Sequence, residues 1–387
     1  MEELKRFLST VPKQPREWEN SFRVPIVEGF RLLHYFEDSN AVAYEASFRE
    51  FLANIEHPER LQYEVPAQLD GVLRNYQIHG FKWMKSLAHH GFGGILADEM
   101  GLGKSVQSIS FILSEVEVIR EKGEPALIVC PSSVTYNWEN EIMKFAPELQ
   151  VMIIDGNKSE RVTLQSKLEN VDVLITSYPL LRRDAGWYKE QHFHVLFFDE
   201  AQLFKNAFSQ TARAVKELQA AYRFALTGTP MENALEELWS IYHVVFPELF
   251  LGLKEYSELT NQQIARRIRP FMLRRSKEDV LGDLPEKTEM TDSIELLPEE
   301  KKLYASYLAK LRHKTFKHLD LETIKHNRIR ILAGLTRLRQ ICCHPALFVE
   351  GYKGTSAKFE HLMQIVDDAK RSGRRLLRSE QIPQRPA

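Results

Sequence analysis

Short apolar runs recur along the middle of the chain, each followed by a polar, helix-forming stretch. The runs are GGILA (93–97), ALIVCP (126–131), VMIID (151–155), VDVLITS (171–177), HVLFFDE (194–200) and RFALTGT (223–229). They are rich in β-branched and aromatic residues, and most lack the strict alternation of a strand with one wet face. Such runs predict strands buried on both sides. Separated by helices, they predict an α/β fold: a parallel sheet with helices on both faces. Upstream, Phe48, Phe51, Leu52 and Ile55 fall at i, i+3, i+4 and i+7, one face of a helix. Between 293 and 350 the character changes. Ile331, Leu335, Leu338 and Cys342 keep helical spacing with Arg and Lys between them, predicting an all-helical segment. The pattern divides the chain into a helical extension (1–65), an α/β lobe (66–292), a helical segment (293–350) and a remainder (351–387) with an unstructured basic tail.

Composition narrows this only a little. The 387 residues leave room for two or three domains at roughly 100–200 residues each. Lys and Arg number 52 against 53 Asp and Glu, so the total neither advertises nor excludes a nucleic-acid partner. A basic groove can hide in a neutral sum. The three cysteines, Cys130, Cys342 and Cys343, are too few for a disulfide framework and suit a reducing compartment. The first residues lack the apolar core of a signal peptide, and no apolar run is long enough to span a membrane. The expectation is a soluble intracellular protein. The lack of a basic import cluster points to a bacterial cytoplasm, with the nucleus as the location in a eukaryote.

Candidate chemistry begins in GGILADEMGLGKSVQSISFIL (93–113). A phosphate cradle needs glycines for a tight turn, a Lys for the β/γ-phosphates, a hydroxyl for Mg²⁺ and a following helix N-terminus. Gly101, Gly103, Lys104 and Ser105 supply these between an apolar run and a helix face of Val106, Ile109 and Leu113. The strict pattern G-x-x-x-x-G-K-[ST] would put glycine at 98, where the chain has Asp98. A glycine-rich turn with an incidental Gly-Lys-Ser therefore stays open on this stretch alone. HVLFFDEAQ supplies a second point: a buried strand ending in two acids, Asp199 for Mg²⁺ and Glu200 for the attacking water. FALTGTPMEN supplies a third. Thr227, Gly228 and Thr229 end another strand, and their hydroxyls are candidates for coupling the phosphate site to the rest of the molecule.

These pieces, in order with LRNYQIHGFKWM, LIVCPSSVTYNWENEI, VLITSY, IRPFMLRRSKEDVLGDLPEKTE and LRQICCHPALF, resemble the motor core of Swi/Snf-type ATPases over residues 66–377. The resemblance implies a RecA-like lobe, ATP hydrolysis, and translocation on double-stranded DNA. It implies that Gln77 reads adenine and that Gly101, Leu102, Gly103, Lys104 and Ser105 cradle ATP. Asp98 belongs to that cradle, since the family itself carries Asp there. Asp199 takes the metal role and Glu200 the water role. Gln202 stands where many members have His, and couples the lobes with Thr227, Gly228 and Thr229. Ser132, Ser133 and Thr176 fall on the DNA side. A second lobe is expected after RSGRRLL, yet the chain continues RSEQIPQRPA. Residues 351–387 then read as the truncated start of that lobe, which predicts weak ATP binding, poor turnover, and a second lobe or protein partner acting in trans.

Other features have blander readings. Cys342, Cys343 and His344 lack the spaced pairs of a zinc site and read as small buried residues closing a helix. Cys130 reads as core. The arginines of RRIRPFMLRR and RIRILAGLTRLR read either as ion pairs and solvated faces or as phosphate contacts. Trp83, Trp138, Trp187 and Trp239 read as core packing. Three competing functions remain: a nucleotide- or DNA-binding module that hydrolyses nothing, an RNA helicase of the same superfamily, and a metabolic P-loop kinase. The last leaves the ordered motifs unexplained.

Overall fold

The computed structural model describes residues 46–228, 235–250, 252–280, 290–316 and 321–376, with 16–18, 21–23, 29, 282 and 288. Thr229 and the tail from 377 lie outside them. The chain divides into two compact units, Met1–Leu284 and Pro285–Ala387.

All six apolar runs form strands of one sheet: β1 (Gly94–Leu96), β2 (Ala126–Cys130), β3 (Val151–Ile153), β4 (Val173–Ser177), β5 (His192–Asp199) and β6 (Gln219–Leu226). A seventh, β7 (Met272–Leu273), lies inside FMLRR and is too short to show a periodicity. The order across the sheet is β3-β4-β2-β5-β6-β1-β7, and every pairing is parallel. This is the RecA-like α/β arrangement. β2 and β4 are buried along their whole length, because helices cover both faces and leave no wet side. The chain leaves β1 and re-enters the sheet at β2, with β5 and β6 inserted between them. That reversal opens a crevice at the carboxyl ends of β1, β6 and β5.

Helices throughout this unit add apolar side chains to the core around the sheet, among them the three that flank β1 in sequence. α1 (Ala46–Glu56) contributes Ile55. α2 (Asn75–His89) packs against α3 (Lys104–Ser114). On α3 every residue from Val106 to Leu113 is buried, not only the expected Val106, Ile109 and Leu113 face. The sheet takes one side, where Phe111 meets Phe197 and Phe224 at 6.0 and 5.4 Å. The other side takes α2. Its buried hydroxyls, Ser108 and Ser110, donate back to the carbonyls of Lys104 and Val106, which satisfies them within the helix.

In the second unit, α4 (Pro298–Phe316) and α5 (Leu321–Cys343) pack together, followed by α6 (Ala357–Arg371). Among the described side chains of α5 the buried residues are Gly334, Leu338, Gln340 and Ile341, and Leu335 is exposed. The expected stripe through Leu335 is wrong for that residue. Gly334 lets Leu311 approach so closely that the helix turns this line, not the leucine-rich one, to its neighbour. Cys342 is half-buried and Cys343 exposed, so Cys343 does not close the helix as a buried residue.

Candidate active site

Register alone brings the distant motifs together. Leu226 of β6 pairs with Leu96 of β1 on one side and Asp199 of β5 on the other. The residues after each strand, 97–105, 200–202 and 227–228, therefore emerge side by side.

After β1 the chain turns through Gly101 and Gly103, with φ of 88° and 77°. An L-residue in that left-handed region costs about 1–2 kcal/mol, which is why glycine serves there. Gly103 is the N-cap of α3 and gives it no side-chain cap, so the first amides of α3 point into the crevice with their partial positive charge. Lys104 Nζ donates to the Asp98 carbonyl at 2.8 Å. Burial lowers the Lys104 pKa, opposed by the charges of Asp98, Glu200 and Asp199. Ser105 follows, half-buried.

Asp199 ends β5 with both oxygens engaged. Trp138 Nε1 donates to Oδ2 at 2.9 Å, and the Glu200 amide donates to Oδ1 at 3.0 Å. Burial raises the Asp199 pKa, and Trp138 and Lys104 pull it back. Tyr178 donates to the Asp199 carbonyl at 2.7 Å. Glu200 adopts φ 50°, ψ 54°, a rare conformation for a side chain larger than Gly or Asn. Strain of this kind persists where surrounding bonds over-determine it. Gln202 Nε2 donates to Glu200 Oε2 at 2.6 Å, and Thr227 Oγ1 donates to Gln202 Oε1 at 2.8 Å. One relay of hydrogen bonds thus joins the Asp-Glu pair to the end of β6. Gly228 lies against Met100 of the turn.

Gln77 sits in the first turn of α2. Its Oε1 accepts from the Arg74 amide at 2.9 Å, and its Nε2 donates to the Leu102 carbonyl at 3.2 Å. Leu102 itself is fully buried. The Asp98 side chain is also fully buried and is bound by Arg275 and Gln107, so it offers the crevice its carbonyl and not its carboxylate. Ser132 and Ser133 are exposed after β2. Thr176 is a correction. It lies within β4, fully buried, and donates to the Ile154 carbonyl at 3.4 Å. A side chain inside the sheet has no route to DNA.

The donor set fits a nucleotide triphosphate with magnesium: uncapped amides, a lysine, a hydroxyl at Ser105 and a carboxylate at Asp199. No cluster of three or more His, Cys, Asp or Glu gathers into a metal cage among the described residues. A magnesium shared with phosphates does not require one.

Sequence reasoning missed Trp138 as anything but core. It is 3% exposed, yet its indole N–H orients Asp199. The signal available was a buried Trp, whose N–H must find a partner. It also left the arginines open. Arg267 pairs with Glu255 at 3.0 Å, and Arg275 pairs with Asp98. Both are internal ion pairs rather than phosphate contacts. Trp83 and Trp239 are buried as expected, while Trp187 is half-buried. Cys130 is core, and burial pushes its thiol up to about 12.

Fold and crevice define a RecA-like lobe of the helicase type. The SNF2-related domain family matches residues 76–347, and the chain belongs to that family. The TATA-binding protein-associated factor MOT1 of Saccharomyces cerevisiae is 32% identical over 86% of this chain and 19% of its own length. The putative ATP-dependent helicase/translocase YwqA of Bacillus subtilis is 37% identical over 79% of this chain and 35% of its own. The chain thus spans about a fifth to a third of these relatives. Among solved structures, the Sulfolobus solfataricus SWI2/SNF2 ATPase core in complex with dsDNA is 35% identical, with a TM-score of 0.51 over 81% of this chain and 67% of that one. No helix among the described residues is long and apolar enough to cross a membrane.

Proposed function

We propose that this chain is the ATP-binding lobe of an SNF2-type motor that moves along double-stranded DNA. The observation that carries the reading is the convergence of Lys104, Asp199, Glu200 and Thr227 at adjoining strand ends. In this reading Gly101, Leu102, Gly103 and Lys104 hold the phosphates with the amides of α3. Ser105 and Asp199 hold magnesium, which when bound neutralises charge on the transferred phosphoryl group. Glu200 orients the attacking water, held by Gln202. Gln77 faces the base. Gln202, Thr227, Gly228 and Thr229 pass the state of the site onward. Ser132 and Ser133 contact the DNA backbone, which positions without reading sequence.

A second lobe, in a longer form of the protein or in trans, completes the site. In small GTPases an arginine supplied from outside is worth about 10³–10⁵ in rate. The matched region spans 19% and 35% of the two relatives' lengths, so turnover is best tested in a two-lobed form beside these 387 residues.

Steady-state ATP hydrolysis with duplex DNA, with RNA and with neither tests the reading, beside Lys104→Ala. Nucleotide binding that needs Lys104, with turnover in a two-lobed form stimulated by duplex DNA, supports it. Stimulation by RNA alone would move the protein to the RNA helicases. Binding with no turnover even when a second lobe is supplied would make it a binding module. In the two-lobed form, Glu200→Gln is expected to bind ATP normally and to lose turnover; undiminished turnover removes Glu200 from its role.

A further inference from the structure

Arg275 lies two residues past β7, far in sequence from every motif of the crevice. β7 pairs with β1, and the pairing continues beyond both strands. The Ala97 amide donates to the Leu273 carbonyl at 2.7 Å, and the Glu99 amide donates to the Arg275 carbonyl at 3.0 Å. The Lys277 amide then donates to Glu99 Oε2 at 2.8 Å. The first half of the phosphate turn is zipped to residues 273–277.

Within this zip the Arg275 side chain, 11% exposed, reaches three segments. Its Nε donates to Asp98 Oδ1 at 2.8 Å, and its Nη2 donates to Asp98 Oδ2. Nη2 also donates to Gln107 Oε1 of α3 at 2.8 Å. Nη1 donates to the carbonyl of Tyr76 at the start of α2, and the guanidinium lies 5.3 Å from the Tyr76 ring centre. Gln107 Nε2 closes the network on Asp98 Oδ2 at 3.2 Å. Space for it exists because residue 80 is glycine: a Cβ there would sit 1.8 Å from Gln107 Oε1 and 3.0 Å from Arg275 Nη2.

The partners of Arg275 are immediate neighbours of the groups that face the crevice. Asp98 is the residue whose carbonyl holds Lys104 Nζ. Tyr76 precedes Gln77, whose amide holds the Leu102 carbonyl. A planar fork with fixed donors sets the relative position of its partners, which a point-charge ammonium cannot do.

We propose that Arg275 is a positioning residue for the nucleotide site. It locks the phosphate turn and the base-facing start of α2 into one preorganised unit. The inference rests on the reading of the crevice as a nucleotide site. It adds a residue from outside the nucleotide motifs, acting through Asp98, Gln107 and Tyr76 rather than by touching the ligand.

Arg275→Lys keeps the charge and loses the fork. The full chain is compared with this variant by the affinity of a fluorescent ADP analogue with Mg²⁺. Amide exchange in the free protein is followed over 97–105 and over β2. Expected is a loss of affinity of about tenfold or more, because ordering a loosened turn then counts against ligand binding. Exchange should quicken over 97–105 while β2 stays protected. A purely structural role would move β2 as well. Unchanged affinity, or an unchanged turn, overturns the inference while leaving the nucleotide reading intact. Should Arg275→Lys also loosen β2, Asp98→Asn, which keeps the side-chain shape, is measured the same way. Loss of β2 protection in both variants makes the pair a folding element and overturns the inference. No analogue binding by the unaltered chain overturns the nucleotide reading, and this inference with it.

Discussion

Replacing Thr227 by Val removes one hydroxyl and keeps the branched shape. The residue is fully buried at the end of β6, so its shape has to be preserved for the test to report on the hydrogen bond. The bond under test is the 2.8 Å contact from Thr227 Oγ1 to Gln202 Oε1. A neutral hydrogen bond is worth about 0.5–1.5 kcal/mol net, and more when the abandoned partner stays dry. Gln202 is half-buried, so water replaces part of the bond, and about 1 kcal/mol is the expected loss. In a unit of this size that lowers the melting temperature by about 2–4 °C. A double-mutant cycle with Gln202→Ala isolates the pair. If the relay exists, the two substitutions together cost about 1 kcal/mol less than the sum of each alone. The second reading is functional. Gln202 also holds Glu200 Oε2 at 2.6 Å, so Thr227→Val in a two-lobed form should lower turnover more than it weakens ADP binding. Urea unfolding supplies the cycle, and steady-state hydrolysis beside ADP titration supplies the split. Strict additivity in the cycle would refute the relay. Equal losses of binding and turnover would refute its link to Glu200.

Two further outcomes concern single sites. Gly103→Ala forces a φ of 77° on an L-residue and sets its Cβ 2.5 Å from Gln77 Nε2. A stability loss of about 1–2 kcal/mol from the backbone alone and a marked loss of nucleotide affinity are expected from thermal melts and titration; normal affinity would show that the turn tolerates another geometry. Away from the crevice, the Arg161 guanidinium, donating to Asp184, holds that carboxyl below the usual carboxylate range. A lowered folded pKa means the stabilisation is fully present above the ordinary value near 3.8 and is lost as pH falls through the folded value. Asp184→Asn should therefore cost about 1–2 kcal/mol at neutral pH, allowing for solvent screening. The gap to the unaltered protein should begin to close in urea melts below about pH 4 and vanish below the folded value. A gap that persists at pH 2 would assign the loss to packing.

Much of this molecule is legible in its letters, because local physics repeats. A run such as ALIVC between polar stretches has to be a strand with two dry faces, and all six such runs are strands. Glycines ahead of Lys-Ser mark a tight turn into a helix, and the φ values at 101 and 103 bear that out. The order of motifs also carries the family. What the letters leave undecided is pairing across distance. Nothing near Trp138 shows that its N–H meets Asp199. At Thr176 the apolar run 171–177 already marks a buried strand, and the family resemblance points the other way. Leu335 and Gly334 stand side by side on α5, and a leucine pattern favours the wrong one until the neighbouring Leu311 is placed. Arg275 could be a phosphate contact by composition, and is an internal clamp only because β7 pairs with β1. Sequence determines the elements, since periodicity and turn chemistry act over a few residues. Tertiary structure decides the site, since strand order and register, set by burial of the whole sheet, choose which distant side chains share a crevice.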